Sequence, residues 1–187
     1  IIMARNKTIP DDQVLDTIFE TVLETGPSNL TFARASKACG LSPATLVQRY
    51  GTRDALLVAT LLRAWDRLDA ETHAADQEEA LDPNGAIEIL LRLMPPETAD
   101  RDSTNGLLVL HEDICNPQLR ARGAAWGHHL AAILGRRLSD HPEEGKKLGW
   151  QMASIWQGAH IWWAFTREQP ADQSIRATLE EWVARNI

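Results

Sequence analysis

The stretch that decides the fold runs from residue 31 to residue 54 and reads Thr31-Phe-Ala-Arg-Ala-Ser-Lys-Ala-Cys-Gly40-Leu-Ser-Pro-Ala-Thr-Leu-Val-Gln-Arg-Tyr50-Gly-Thr-Arg-Asp54. Thr31 and Ser42 are good helix N-caps, and Pro43 suits the first position of a helix, where its missing N–H costs nothing. Gly40 lies between them and can adopt the positive φ of a helix C-cap. The pattern therefore predicts two short helices joined by a tight turn, which is the helix-turn-helix unit.

The second helix of such a unit enters the major groove of DNA. Leu46 and Tyr50 are four residues apart and can anchor this helix to the core, which leaves its other side chains pointing outward. Gln48 can pair with adenine through two hydrogen bonds, and Arg49 can pair with guanine or with a phosphate. The predicted DNA contacts, some of them from the flanking helices, are Thr31, Arg34, Lys37, Ser42, Pro43, Ala44, Thr45, Val47, Gln48, Arg49 and Arg53.

Several pieces of this region match a known family: Thr25-Gly26, Leu30-Thr31, Lys37-Ala-Cys-Gly-Leu-Ser42, Pro43-Ala-Thr-Leu46, Tyr50 and Thr52-Arg-Asp-Ala-Leu56. Residues 11–60 thereby resemble the DNA-binding domain of the TetR family of bacterial transcriptional regulators. The chain departs from the family pattern at Ala35 and Ser36, where a bulky aliphatic residue and an alanine are usual. It also has Val47 in place of an aromatic residue and Arg53 in place of a lysine. The resemblance implies a homodimer in which each subunit has a small-molecule pocket in the helical domain that follows the DNA-binding domain.

The remaining sequence predicts an all-α protein of about nine helices, because helical apolar spacing recurs throughout and no segment has the alternation of a strand. We expect an N-terminal helix-turn-helix domain over residues 1–54, here called the head. We expect a helical ligand-binding and dimerisation domain over residues 55–187, here called the body. A long helix starting at Arg53 would connect the two. The polar residues 97–104 are predicted to form a loop that precedes a short helix over residues 106–114.

Two features of the body concern helix packing. An apolar seam with four-three spacing predicts a contact with another helix and consists of Leu148, Met152, Ile155, Ala159 and Trp162. Several glycines fall inside predicted helices, where each costs about 1 kcal/mol relative to alanine. These glycines, which are Gly123, Gly127, Gly135 and Gly158, indicate either close helix crossings or room for a ligand.

The net charge of −7 is unusual for a DNA-binding protein until the chain is divided. Residues 1–60 carry six basic and six acidic side chains, whereas the other 127 residues carry thirteen basic and twenty acidic ones. Arg5 and Lys7, on a predicted flexible arm over residues 1–9, could join a basic face of the head. The acidic body would be repelled by DNA. Two unpaired cysteines and the lack of a leader or a membrane-length apolar run lead us to expect a cytoplasmic protein.

The pocket implied by the resemblance has six candidate lining residues, which are Trp65, Met94, His111, Cys115, Trp126 and Trp156. His111 and Cys115 are four residues apart and could share a metal ion, but no further cysteine or histidine has a suitable spacing to complete the site. Six of the seven tryptophans follow residue 125. Because tryptophan is favoured at interfaces, this distribution predicts that the two long helices near the C-terminus form the dimer. The alternative is that these tryptophans are core residues of a helical bundle.

The sequence contains no glycine-rich phosphate loop, nucleophile-elbow serine or zinc-protease motif, so we predict neither an enzyme nor a cofactor. We predict a ligand-responsive transcriptional regulator, acting as a repressor, that binds a near-palindromic DNA operator as a homodimer and is released by a small-molecule effector. One alternative is a helical scaffold or ligand-binding protein of the same fold that does not bind DNA. The other is a helical-bundle enzyme, although paired Glu-x-x-His motifs are missing.

Overall fold

The computed structural model describes residues 9–94 and 96–187, with side chains from residue 105 onward in the second range. Over these residues the protein is all-helical, as predicted, and contains no strand. The predicted basic arm lies outside the described residues, except for residue 9. The helices are α1 (Asp11–Thr25), a 3-10 turn (Pro27–Asn29), α2 (Phe32–Cys39), α3 (Pro43–Tyr50), α4 (Arg53–Glu78), α5 (Pro83–Arg92), α6 (Pro96–Cys115), α7 (Pro117–Leu138), α8 (Pro142–Thr166) and α9 (Ala171–Asn186).

The start of α6 differs from the prediction. Residues 97–104 are helical, and the predicted short helix is the second half of the 20-residue α6. Pro96 is the first residue of this helix, a position where proline is favoured, so the Pro95-Pro96 pair precedes a helix start. The loop prediction rested on polarity alone, which does not oppose a helix, because Glu, Ala and Arg are all good helix formers.

The buried apolar residues form two clusters. The first joins α1, α2, α3 and the first half of α4, with Leu119 of α7 added from the body. The second joins the end of α4 to α5, α7, α8 and α9. Helix α4 therefore contributes to both clusters and is the direct covalent and packed connection between the N-terminal head and the body.

A buried arginine fixes the far end of α4. Arg137 of α7 is 4% exposed, and its guanidinium donates to the carbonyl oxygens of Asp76, Glu79 and Ala80 at 2.9, 3.0 and 2.8 Å. These are carbonyls of the last turn of α4 and the residues just beyond it, which lack partners within the helix. Burial would raise the pKa of the Asp76 carboxyl, but Arg137 and Arg136 hold it below its ordinary value. The end of α4 is thus held against α7 by charge-assisted hydrogen bonds.

Helices α7 and α8 pack closely because glycines meet at their crossing. A Cβ added to Gly149 would lie 2.0 Å from the carbonyl oxygen of Ala131, and one added to Gly135 would lie 2.5 Å from that of Gly145. Gly123 faces the ring of Trp65 in the same close manner. Most of the helical glycines are therefore explained by close packing. Gly158 is different, because a Cβ added to it would have no atom within 4 Å.

The predicted apolar seam of α8 packs against the body along most of its length. Met152 is buried and Leu148, Ile155 and Ala159 are partly buried against the same core cluster, but Trp162 at the end of the seam is 70% exposed. The α8 residues buried in the body are Gly145, Gly149, Met152, Ala153, Trp156 and Trp163. Two rows of residues with the same four-three spacing lie side by side on α8. Helix α7 packs against the row that contains Gly145 and Gly149, because only glycines allow the two backbones to approach this closely.

Candidate functional sites

The helix-turn-helix unit forms through short-range hydrogen bonds. The Thr31 hydroxyl accepts from the backbone N–H of Arg34 at 3.1 Å, and the Ser42 hydroxyl accepts from that of Thr45 at 3.1 Å. Gly40 has φ +76° and ends α2 in the left-handed conformation. Both N-caps and the glycine turn are confirmed as the sequence predicted them. The local sequence is therefore sufficient to define the two helices and the turn between them.

The outer side of α3 is open to solvent. Leu46 is fully buried and attaches the helix to the head core, whereas Val47 is 45% exposed. Gln48 is exposed and makes no hydrogen bond to any described residue. The other predicted contacts with exposed side chains are Thr31, Arg34, Lys37, Ser42, Pro43 and Ala44, and Thr45 is half-buried. These residues lie on α3 and along the adjoining part of α2.

Arg49 is engaged within the protein. Its guanidinium donates to the carboxylate of Asp11 and to the carbonyl oxygen of Ile9, both at 3.0 Å. The Tyr50 hydroxyl donates to the same carboxylate at 3.0 Å. Burial, followed by the neighbouring Asp11, raises the pKa of Tyr50 to about 12, so this phenol keeps its proton. The cluster ties the end of α3 to the start of α1 and fixes the orientation of α3.

Arg53 has a similar internal role. It donates to the carbonyl oxygen of Leu30 at 3.3 Å and to that of Pro27, and it pairs with Asp54 at 2.8 Å. Arg53 thus connects the first turn of α4 to the segment before α2. The structure therefore places two predicted DNA contacts, Arg49 and Arg53, in bonds that hold the head together, and exposed Arg34 also donates to the carbonyl oxygen of Asn29 at 2.8 Å.

A cavity of about 780 Å³, here called the large cavity, lies between the head and the body. Its volume is in the usual range of small-molecule sites. Helices α1, α4, α6 and α8 supply most of its walls, together with the end of α5. The apolar lining consists of Phe19, Leu23, Leu61, Ala64, Trp65, Leu68, Leu93, Met94, Leu107, Val109, Leu110, Ile161, Trp163 and Ala164.

Asp113 and His160 are polar groups of the large cavity whose pKa values are shifted by burial. The Asp113 carboxylate accepts a hydrogen bond from the indole N–H of Trp65 at 3.0 Å. Burial raises the pKa of Asp113 to about 6, against the effect of the Trp65 hydrogen bond, and the negative charge of Glu112 adds to the rise. Burial lowers the pKa of His160, whose Nδ1 lies 3.0 Å from the carbonyl oxygen of Trp156.

Only two of the six predicted ligand residues, Trp65 and Met94, line the large cavity. Trp126 lines a separate cavity of about 460 Å³ between α4 and α7 and donates to the Thr72 hydroxyl at 3.0 Å. Trp156 is buried behind the ring of His160, and its indole N–H has no partner among the described residues. His111 and Cys115 are exposed, on a face of α6 that does not border the large cavity.

The sequence prediction missed Asp113 and His160. Asp113 follows Gly106, Val109 and Leu110 at helical spacing, so it is a carboxylate in line with an apolar stripe. That signal is visible once α6 is read as one helix. His111 and Cys115 lie 3.5 Å apart, and no three metal-ligating side chains within the described residues come together as a metal site.

An apolar patch covers the outer side of α8. Its members are exposed to water, Phe165 by 77% and Trp162 by 70%, and the rings of these two are in contact with a centroid distance of 5.8 Å. The patch consists of Trp150, Ile161, Trp162 and Phe165. Large exposed apolar patches mark interaction surfaces. No helix among the described residues is long and apolar enough to cross a membrane.

The sequence matches no protein-family model and no curated protein. Solved structures match over nearly the whole chain. A TetR transcription regulator from Haloarcula marismortui is 19% identical with a TM-score of 0.76, covering 94% of this chain and 96% of its own. A candidate transcriptional regulator from Saccharomonospora viridis, solved in complex with choline, is 18% identical with a TM-score of 0.74, covering 94% and 95%.

A third match is the multidrug binding protein EbrR, solved with imidazole, which is 17% identical with a TM-score of 0.64 and covers 96% of both chains. Identities this low establish similarity of architecture, and the coverage extends it to head and body alike. The sequence resemblance is thereby confirmed at the level of the fold. The chain has the fold of the TetR-family transcriptional regulators.

Proposed function

We propose that this protein is a transcriptional repressor that binds a near-palindromic DNA operator as a homodimer and leaves it when a small molecule fills the large cavity. The observation that carries the proposal is the outer side of α3. This helix is capped by Ser42, anchored by buried Leu46, and exposes Val47 and Gln48 where no described residue covers them. A short, rigidly held helix with an open polar face is what reading the major groove requires.

The proposed contacts divide into base and phosphate contacts. Gln48 would pair with adenine, and Val47 would meet a thymine methyl group. Arg34 and Lys37 are exposed on α2 and would bind phosphates. The backbone N–H groups at the start of α3, next to Ser42, would bind another phosphate. Arg49 keeps its bonds to α1 in this proposal and mainly sets the angle of α3.

The apolar patch on α8 supports a homodimer. Burying four large apolar side chains against a second copy would remove them from water, at about 25 cal/mol for each Å². Gly158 lies on the same helix without any atom near its Cβ position, which leaves room for a partner helix. A two-fold contact between copies would hold two α3 helices at the separation of successive major grooves, about 34–36 Å.

The walls of the large cavity support regulation by a ligand. Phe19 and Leu23 of α1 and Leu61 of α4 border the cavity, and α1 and α4 also build the head core. A ligand that fits one spacing of these helices better than another would change the position of the head. Couplings of this kind amount to about 1–3 kcal/mol. Two structural neighbours solved with choline and with imidazole agree with such a small-molecule site.

The test is selection of preferred sequences from a random duplex pool, with a salt titration of binding to the selected site. We expect a near-palindromic sequence and a steep loss of affinity with salt. Gln48→Ala should weaken binding to that site by about 10–100-fold, the value of one bidentate base contact. Gln173→Ala, which removes the exposed glutamine of α9, is the matched control and should bind as the wild type does.

Weak binding without a preferred sequence would contradict the proposal. It would favour the alternative of a helical scaffold or ligand-binding protein. Two features support this alternative: the zero net charge of residues 1–60 and the apolar Val47 on the outer side of α3.

A further inference from the structure

The charged groups of the large cavity are mostly paired with one another. Arg92 pairs with Glu71 and Glu78, and Arg67 lies 3.7 Å from Asp16 and 3.9 Å from Glu20. Each arginine therefore has at least two acidic partners. Among the described residues of the cavity lining, a negatively charged ligand would find no cation that is free of carboxylates.

Asp113 is the exception to this pairing. Its carboxylate accepts the indole N–H of Trp65, and no described basic side chain forms an ion pair with it. The carboxylate has two oxygens and the indole occupies one of them, so the other can accept from a ligand. With a pKa of about 6, the group is ionised at neutral pH. The cavity thus contains an uncompensated negative charge.

His160 does not neutralise this charge. Its Nδ1 is 3.0 Å from the carbonyl oxygen of Trp156 and must donate to it, which leaves Nε2 as an acceptor in the neutral ring. Burial keeps the pKa of His160 below its ordinary value, so the ring is uncharged at neutral pH. Both groups, one from α6 and one from α8, therefore offer acceptors toward a ligand.

The remaining lining is apolar and includes the rings of Trp65, Trp163 and Phe19. Aromatic faces attract cations, and apolar walls favour a ligand with a large hydrocarbon part. The four observations agree on one chemistry: no unpaired cation among the described lining residues, one carboxylate without an ion pair, a neutral acceptor and apolar aromatic walls.

We propose that the large cavity binds amphipathic organic cations, with a protonated amine donating to the free oxygen of Asp113 and an apolar body lying among the aromatic and aliphatic walls. The inference names the ligand class for the proposed effector site and so rests on the proposed function. Its direct test needs no DNA.

The experiment uses three probes that share a body and differ in the head group: 3,3-diphenylpropylamine, 3,3-diphenylpropan-1-ol and 3,3-diphenylpropionate. Their affinities for the full chain are measured by titration calorimetry at pH 7.5. We expect the amine to bind at least about tenfold more tightly than the alcohol, the value of one charge-assisted hydrogen bond, and the carboxylate to bind most weakly.

Two variants locate the effect. Asp113→Asn should weaken amine binding by about tenfold or more and leave alcohol binding unchanged. Glu112→Gln is the matched control, because it removes the same charge from the adjacent residue of α6, which does not line the cavity. The control should change amine binding by less than about twofold, since a charge outside the cavity is screened by water.

Equal or tighter binding of the alcohol or the carboxylate would overturn the proposal, as would a preference for the amine that survives Asp113→Asn, or the absence of binding by all three probes. The outcome is separable from that of the proposed function. Amine binding by a protein that selects no DNA sequence would uphold the ligand class alone, and sequence-specific DNA binding without amine preference would uphold the regulator alone.

Discussion

The helix-turn-helix unit and the large cavity differ in how far apart in sequence the residues that form them lie. In the helix-turn-helix unit, each cap bonds a residue three positions away, as Thr31 does with Arg34 and Ser42 with Thr45. The cavity joins Phe19 of α1 to Ala164 of α8, with walls from three further helices between them. A surface formed by local contacts can be predicted from a short stretch of sequence. A cavity cannot, because it is the space left between helices that are distant in sequence, and its shape depends on how those helices pack. The following predictions test this difference.

The largest effect is expected at the α7–α8 crossing, which depends entirely on tertiary contact. Gly149→Ala would place a Cβ 2.0 Å from the carbonyl oxygen of Ala131 and should lower the free energy of unfolding by about 3 kcal/mol or more, since neither backbone can move away easily. Urea unfolding followed by circular dichroism, at one protein concentration, measures the change.

Gly106→Ala is the control for this prediction. Gly106 is also inside a helix, but no atom lies within 4 Å of its Cβ position. Alanine there should be neutral or should stabilise by up to about 1 kcal/mol through helix propensity. Equal effects of the two substitutions would show that the crossing does not require the glycine.

The second prediction concerns the cavity carboxylate. The pKa of Asp113 is higher in the folded protein, about 6, than its ordinary value of 3.8. The folded state then binds this proton more tightly, so the contribution of Asp113 to stability falls as the pH rises from about 4 to about 6. Asp113→Asn should therefore stabilise the ligand-free protein at pH 7.5 by about 1–2 kcal/mol, allowing for solvent screening of a carboxylate that is partly exposed.

Thermal and urea unfolding of Asp113→Asn and wild type at pH 4, 5, 6 and 7.5 would measure this difference. It should be near zero at pH 4 and complete above pH 6. Asp140→Asn, on the exposed segment after α7, should leave stability unchanged across the range. A destabilised Asp113→Asn protein at pH 7.5 would mean that the carboxylate is needed by the fold rather than reserved for a ligand.

The third prediction concerns the turn of the head. Gly40→Ala should cost about 1 kcal/mol, because the residue has φ +76°, which an L-residue with a Cβ adopts at that cost. Gly40→Asn should cost less, because asparagine tolerates the left-handed conformation. The space around this glycine is open, so conformation is the only cause. If asparagine proves as costly as alanine in urea unfolding, a tertiary contact must be involved.

The smallest effect is expected at the link between the cavity and the head. The Asn105 side chain of α6 donates to the carbonyl oxygen of Leu23 in α1 at 2.7 Å. Asn105→Ala should cost no more than about 1 kcal/mol of stability but should reduce the effect of an amine ligand on DNA affinity. Operator binding with and without 3,3-diphenylpropylamine measures the coupling.

Asn29→Ala is the matched control for that link. Asn29 donates to the carbonyl oxygen of Thr25, also near the end of α1, at 2.6 Å, but it belongs to the head itself. Removing the Asn29 side chain should leave the effect of the amine on DNA affinity unchanged. Equal losses in the two variants would show that the end of α1 matters only for head stability.

Much of the fold could be predicted from the sequence because its signals are local. Helix caps, a proline and the glycine turn predicted the two helices of the helix-turn-helix unit and the start of α4 at Arg53, and these were confirmed. The first half of α6 is not predictable from polarity, because polar residues occur in loops and in exposed helices alike. The candidate sites were harder to predict from the sequence than the helices. Arg49 has the chemistry of a base contact, yet Asp11, thirty-eight positions earlier, occupies its guanidinium.

The sequence by itself determined the all-helical class, the helix-turn-helix unit and the outward direction of Gln48, because each depends on residues within one or two helical turns. The tertiary structure decided which apolar seam of α8 faces α7, which side chains border the large cavity, and that Asp113 is left there without a cationic partner among the described residues. Those outcomes depend on how closely helices distant in sequence can approach. At the crossing of α7 and α8, glycines set that distance.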